Sequence, residues 1–120
     1  MAINLLSKKC VPCEGGVPAL TEAEAVNFLE ELSDTWKLEG NKIAADFKFK
    51  DFKEAMRFIN NVAVLAEKEG HHPDITVNYS KVHLVLWTHA IGGLSDNDFI
   101  LAAKIDEVFK SGEFELYPHT

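Results

Sequence analysis

The feature that most constrains this chain is a change of hydrophobic period that happens twice. In 36-WKLEGNKIAADFKF-49, Trp36 and Leu38 alternate with polar residues, Gly40-Asn41 supplies turn residues, and Ile43, Ala45, Phe47 and Phe49 resume the alternation. That is a hairpin with one apolar and one wet face. From Asp51 to Glu69 the spacing becomes helical, with Phe52, Ala55, Met56, Ile59, Val62, Ala63 and Ala66 on one stripe and Gly70 as the C-terminal stop. Alternation returns in 75-ITVNY-79, Ser80-Lys81 turns the chain, and 82-VHLVLWTH-89 is apolar on both parities, as a central or doubly covered strand is. After Gly92-Gly93, Ser95 caps a last helix with Asp98 at the capping-box position, and Phe99, Ala102, Ala103, Ile105 and Phe109 face inward.

A first helix precedes these units. Thr21 and Glu24 have capping-box spacing, Ala25, Phe28, Leu29 and Leu32 form the apolar stripe, and the helix is expected to stop near Ser33-Asp34. The order is therefore α-β-β-α-β-β-α. Hairpins alone cannot generate a parallel sheet, so the expected fold class is α+β: a two-layer, four-stranded antiparallel sheet with helices packed on one face. The other sheet face or an edge is left for oligomerisation. Residues 1–20 read as an irregular arm, 21–115 as a single domain, and 116–120 as a tail.

At 120 residues, 47% apolar and 26% charged, the chain has the composition of a folded globule that needs no disulfide staples. A net charge of −7 without a long basic run argues against nucleic acid as a partner. No stretch is long enough to span a bilayer, and the apolar patch in MAINLLSKKC is too brief for a signal-peptide core, so no membrane and a cytoplasmic location are expected. Cys10 and Cys13 form a lone CxxC lacking the strand and helix of a redox motif or the further ligands of a zinc site. The expectation is a surface arm with free thiols and no catalytic role.

The chemistry-bearing stretch is 67-EKEGHHPD-74. Imidazole both gives and takes protons near neutrality. His72 precedes Pro73, so its backbone is extended and the rings of His71 and His72 should diverge, which makes one metal ion an awkward occupant. His89 ends the second hairpin and His71 sits just before it begins, so antiparallel pairing brings them together. Trp87 shares the strand parity of His89 and is either core or a flat platform for a planar ring. Glu67 and Glu69 lie in the last turn of the long helix, where the dipole disfavours negative charge. Glu67 either orients a histidine or substrate, or is a solvated carboxylate beside Lys68. Asp98 is accounted for by helix capping, His83 by an ordinary strand position and His119 by the tail. The residues by themselves lead as far as a proton-transfer pocket.

Glu67-Lys68, His71-His72-Pro73, Tyr79, Thr88-His89, Gly93-Leu94 and Asp98 together resemble the signature of the pterin-4a-carbinolamine dehydratase family. The likeness runs from about Thr21 to the last helix, and the CVPCEGG arm looks like bacterial members. The resemblance implies the helix-and-hairpin fold, a homo-oligomer (dimer or tetramer), and no metal or other cofactor. It also implies a hydro-lyase that removes water from the 4a-hydroxytetrahydropterin left by aromatic amino acid hydroxylases, with a functional link to such a hydroxylase in pterin recycling. Carried onto matching positions, His71 and His89 are the proton movers and His72 binds and positions. Glu67, Trp87, Thr88 and Asp98 make up the substrate-binding surroundings. Trp87 is a departure, since some relatives have a small hydroxyl residue there, and it bears on how the ring face is held. Two other readings go with the resemblance: a dimerisation cofactor for a transcription factor, as in animal members, and a pterin-binding homologue in molybdopterin metabolism.

Overall fold

The computed structural model describes residues 5–8, 10 and 18–111. The expectations for Cys13, His119 and the 116–120 tail lie outside the described residues. Thr21 opens α1 (Glu22–Leu29): its hydroxyl accepts from the Glu24 amide at 3.2 Å, and the Glu24 carboxylate accepts from the Thr21 amide at 2.8 Å. This is the expected capping box. The regular helix stops at Leu29, short of Ser33. Glu31 and Leu32 donate to carbonyls three residues back, and Ser33 is drawn away by Asp106, which accepts from its amide at 3.0 Å and its hydroxyl at 2.9 Å.

Strands β1 (Trp36–Glu39), β2 (Lys42–Lys48), β3 (Asp74–Asn78) and β4 (Lys81–Leu86) form one antiparallel sheet in the order β1-β2-β4-β3. The two hairpins join through β2 and β4, with Ile43 opposite Leu86 and Phe47 opposite Val82. Trp36, Ile43, Ala45 and Phe47 share the inner face with Val82, Leu84 and Leu86, all buried in one core with the helices α2 (Phe52–Glu69) and α3 (Asp96–Ser111). This is the α+β two-layer fold, because alternating strands leave one apolar face for helices to cover. β4 is central, as its apolar run indicates, but covered on one side only: Val82, Leu84 and Leu86 are buried while His83, Val85 and Trp87 are half-buried. Every residue of β3, at the sheet edge, is exposed.

Several local expectations are corrected. The second hairpin turns at Tyr79-Ser80, one residue earlier than Ser80-Lys81, since Asn78 faces Lys81; Tyr79 takes the left-handed φ of 53° that a two-residue hairpin turn demands. β4 ends at Leu86 and does not run to His89. Beyond it Thr88 pairs with Gly93, whose carbonyl accepts from the Thr88 amide at 2.8 Å, and His89–Ile91 winds into a 3-10 turn. In α2 the buried line is Ala55, Phe58, Val62 and Ala66, while Phe52 and Ala63 are exposed. Phe58 takes the place expected of Phe52 because Phe47 and Phe49, from the first hairpin, lie within ring contact at 4.9 and 5.0 Å.

Cys10 is also not a surface thiol. It is 7% exposed, its amide donates to Glu69 Oε1 at 2.8 Å, and its Sγ donates to the Asn97 carbonyl at 3.5 Å. Burial, then the neighbouring Glu69 charge, pushes the thiol up to about 12, so it stays protonated and unreactive at neutral pH.

Phe58→Ala should therefore lower the unfolding free energy by about 3–5 kcal/mol, as for a buried aromatic. Phe52→Ala should cost under about 1 kcal/mol, as for an exposed position. Urea denaturation of the two variants side by side checks the assignment; equal losses would contradict it.

Candidate active site

The site forms where α2 hands the chain to β3, against the end of β4. Gly70 closes α2 in the left-handed conformation at φ 67°, its amide and that of His71 both donating to the Ala66 carbonyl. This C-terminal stop turns the chain out of the helix and presents His71 and His72 in succession. Pro73 then holds the extended path into β3.

The adjacent rings take different partners, as extended geometry requires. His71 Nε2 lies 2.6 Å from Asp98 Oδ1, with the His71 side chain 12% exposed and Asp98 fully buried. His72 Nε2 lies 2.6 Å from Glu67 Oε2, and both of those side chains are mostly exposed. The exposed pair contributes little to stability, since water competes for both groups. Around the buried pair, every oxygen is accounted for.

Asp98 Oδ2 accepts from the Thr88 hydroxyl at 2.8 Å and from the Ser95 amide at 2.9 Å. The single Thr88 hydroxyl proton is thereby committed to the carboxylate, so the Ser95 hydroxyl, 2.8 Å away, donates to Thr88. Asp98 thus caps α3 through Ser95 and also receives His71. The capping role expected of it is real, and the site role is added to it. With Oδ1 facing His71, the imidazole presents its Nε2–H to the carboxylate, leaving Nδ1 as the nitrogen open to a bound molecule.

The opposite wall comes from β4 and the turn after it. Trp87 stacks on His89 with ring centroids 3.9 Å apart and planes 26° from parallel, and Lys42 Nζ lies 4.7 Å from the Trp87 ring centroid. His89 reaches Trp87 from a 3-10 turn and not along a continued strand. Asn41 Nδ2 donates to the Gly92 carbonyl at 2.8 Å, tying that turn to the first hairpin. Gly93 is required in the same loop, since a Cβ there would come within 2.8 Å of Ala19 Cβ.

Gly70, His71, His72, Trp87, Thr88, His89 and Ala90 line one open cleft of about 280 Å³. That is near the lower limit of the roughly 300–1,000 Å³ typical of small-molecule sites. Two hollows of about 330 Å³ lie elsewhere, one beside Asp106 and one beside Gly93, and neither is lined by histidine. The titratable rings therefore pick out the smaller cleft.

All three imidazoles expected to converge do so, with Trp87 and Thr88 between them. Glu67 and Asp98 stand one step back, each behind a histidine. Tyr79 is apart, on the far hairpin turn and 67% exposed. His83 faces the open side of the sheet and pairs with Asp46 at 2.7 Å. Among the described residues no three His, Cys, Asp or Glu side chains gather as metal ligands. Sequence reasoning missed Lys42 and Ser95 as parts of the site. Lys42 becomes Trp87's neighbour through the β2–β4 register, which pairs Ile43 with Leu86.

Residues 18–108 match the family model described as pterin 4 alpha carbinolamine dehydratase. A protein of Nitrosomonas europaea, provisionally named a pterin-4-alpha-carbinolamine dehydratase, is 49% identical over 108 residues, covering 90% of this chain and 96% of its own. A protein of Alkaliphilus metalliredigens with the same provisional name is 46% identical over 105 residues, covering 87% and 95%. Among solved structures, a transcriptional coactivator/pterin dehydratase from Brucella melitensis superposes with a TM-score of 0.71 at 36% identity, covering 76% of this chain and 98% of that one. A pterin dehydratase-like RuBisCO assembly factor of the alpha-carboxysome shares the fold, with a TM-score of 0.55 at 23% identity, covering 62% and 88%. The chain belongs to the pterin-4a-carbinolamine dehydratase family.

The buried network makes its own prediction. Thr88→Val keeps the shape but removes a donor from a buried carboxylate, so it should destabilise the fold by about 1–3 kcal/mol. Urea denaturation measures it; a variant as stable as the parent would mean that the hydroxyl does not satisfy Asp98.

Proposed function

We propose that this chain dehydrates a pterin-4a-carbinolamine by histidine general acid-base catalysis. The observation that carries the reading is the meeting of His71, His72 and His89 in one cleft, with His71 held on a buried carboxylate. Family membership supports a pterin carbinolamine as the substrate class. In the reaction the C4a–OH bond breaks and N5 loses its proton, giving a C4a=N5 double bond and water. The departing hydroxyl needs a proton and N5 needs an acceptor, and a pair of imidazoles can serve both.

In this reading His71 and His89 move the protons from opposite walls of the cleft. His71 keeps one orientation because Asp98 holds Nε2. His72, with its solvated Glu67 partner, binds and positions. The Trp87–His89 stack, half-buried at Trp87 and exposed at His89, offers a planar surface to a planar ring. The quinonoid dihydropterin formed is the species a reductase recycles after aromatic amino acid hydroxylation.

Self-association goes with this proposal. β3 presents a whole strand edge to solvent, with Ile75 and Val77 39% and 36% exposed. An uncapped edge bearing apolar side chains is a template for pairing with another copy. Sedimentation equilibrium should give two or four times the chain mass at micromolar concentration; a monomer would remove this part of the proposal.

With absorbance decay of freshly generated carbinolamine as the assay, His71→Ala and His89→Ala should each lose at least the roughly 10²-fold that a positioned acid or base contributes. A saturating pterin should also raise the melting temperature of the unsubstituted chain. Undiminished rates in both variants would remove the catalytic proposal. A chain that neither turns over carbinolamine nor is stabilised by pterin would favour the protein-interaction role.

A further inference from the structure

Near the His71–Asp98 contact, a largely buried ion pair joins the last residue of α2 to α3, the helix that carries Asp98. Glu69, the last residue of α2, accepts from Lys104 Nζ of α3 at 2.7 Å, and these side chains are only 8% and 19% exposed. The second Glu69 oxygen accepts from the Cys10 amide, while Cys10 Sγ bonds to the carbonyl of Asn97, next to Asp98. One arm residue thus touches the neighbours of both members of the His71–Asp98 pair.

The pair is costly in isolation. A carboxylate at a helix C-terminus opposes the dipole, and removing two charges from water offsets most of their attraction. Burial alone would raise the Glu69 carboxyl. The hydrogen bonds from Lys104 and from the Cys10 amide, with the Lys104 charge, hold it below the ordinary glutamate range. The pair is ionised at neutral pH. Its stabilisation is present above the ordinary glutamate value and is lost as pH falls through the lower folded one.

Geometry gives this arrangement a use. The cap at Gly70 fixes the backbone as far as the His71 amide, which donates to the Ala66 carbonyl, but the His71 side chain lies beyond the helix and the helix does not by itself fix the ring. Glu69 is the last helical residue before that cap. Lys104 lies six residues beyond Asp98, about 9 Å along α3 at 1.5 Å per residue. Two links at different heights, the hydrogen bond of His71 to Asp98 and the Glu69–Lys104 ion pair, fix both the spacing and the rotation of the α2 terminus against α3. A single link at His71 would leave it free to pivot.

We infer that Glu69 and Lys104, joined by the Cys10 amide, are positioning residues that hold His71 in register with Asp98. The inference deepens the proposed function and rests on it only for its catalytic consequence. Neither residue lines the cleft, so their effect on turnover passes through His71.

The test pairs a spectroscopic readout with a kinetic one. The His71 ring N–H donated to Asp98 should give a downfield, exchange-protected proton resonance, identified by its loss in His71→Asn. In the double variant Glu69→Met/Lys104→Met, apolar packing replaces the ion pair and the chain should still fold, with a melting temperature lowered only by the lost acceptor of the Cys10 amide. The resonance should nonetheless broaden or vanish. Carbinolamine kcat should fall by up to about 10²-fold, the scale of a small misplacement, with KM changed far less. Lys104→Arg, which keeps the charge, should retain both resonance and turnover.

An unshifted resonance in a folded double variant would overturn the inference, whatever the chain's activity. A lost resonance in a chain whose parent form has no dehydratase activity would uphold the positioning role and reject the proposed function. Should the double variant not fold, Glu69→Gln asks the same question with shape kept, and an unchanged resonance there overturns the inference equally.

Discussion

Asp98 puts a carboxylate where no solvent reaches it, and the site is arranged around keeping that charge satisfied. A buried carboxylate without donors costs several kcal/mol. Here Ser95 supplies an amide, Thr88 a hydroxyl and His71 an imidazole N–H. Each donor comes from a different part of the chain: the start of α3, the segment after β4, and the exit from α2. Satisfying one carboxylate therefore draws three elements to a single point, directly behind His71 and Thr88 of the cleft wall.

The contrast with the other histidine–carboxylate pairs shows what burial adds. His72–Glu67 and His83–Asp46 are as short as His71–Asp98, at 2.6 and 2.7 Å against 2.6 Å, but they are exposed. In water such a pair forms and breaks at small free-energy difference, which suits a group that must adapt to a ligand. The buried pair cannot relax in that way, which suits a group that must meet a reacting atom at fixed geometry. His89 is held differently again, by stacking on Trp87, which itself lies beneath Lys42. The fold thus supplies one rigid imidazole, one solvated imidazole and one stacked imidazole around the same space.

Local chemistry made much of this legible before any coordinates. The Thr21–Glu24 capping box, the Gly40-Asn41 turn and the Gly70 stop are short-range devices whose partners lie within a few residues, and they appear where the sequence puts them. Antiparallel pairing also carried the convergence of His71 with His89, although the strand ends three residues before His89. What the sequence could not display were contacts fixed by the meeting of distant elements. Phe58 is core because Phe47 and Phe49 cross above it. Lys42 reaches Trp87 through a register between separate hairpins. Cys10 is buried because α2 and α3 happen to present a carboxylate and a carbonyl to it. The dipole penalty on Glu69 in the last turn of α2 is legible in the sequence, and Lys104, which offsets it from another helix, is not.

The central proposal is that one carboxylate-anchored cleft gathers three imidazoles into a single pterin site. Its most direct test is to follow the imidazole nitrogen–proton correlations while titrating 7,8-dihydropterin into the intact chain. The account predicts that His71, His72 and His89 shift together along one saturation curve while His83, on the open sheet face, stays still. Shifts confined to one ring, or led by His83, would contradict it.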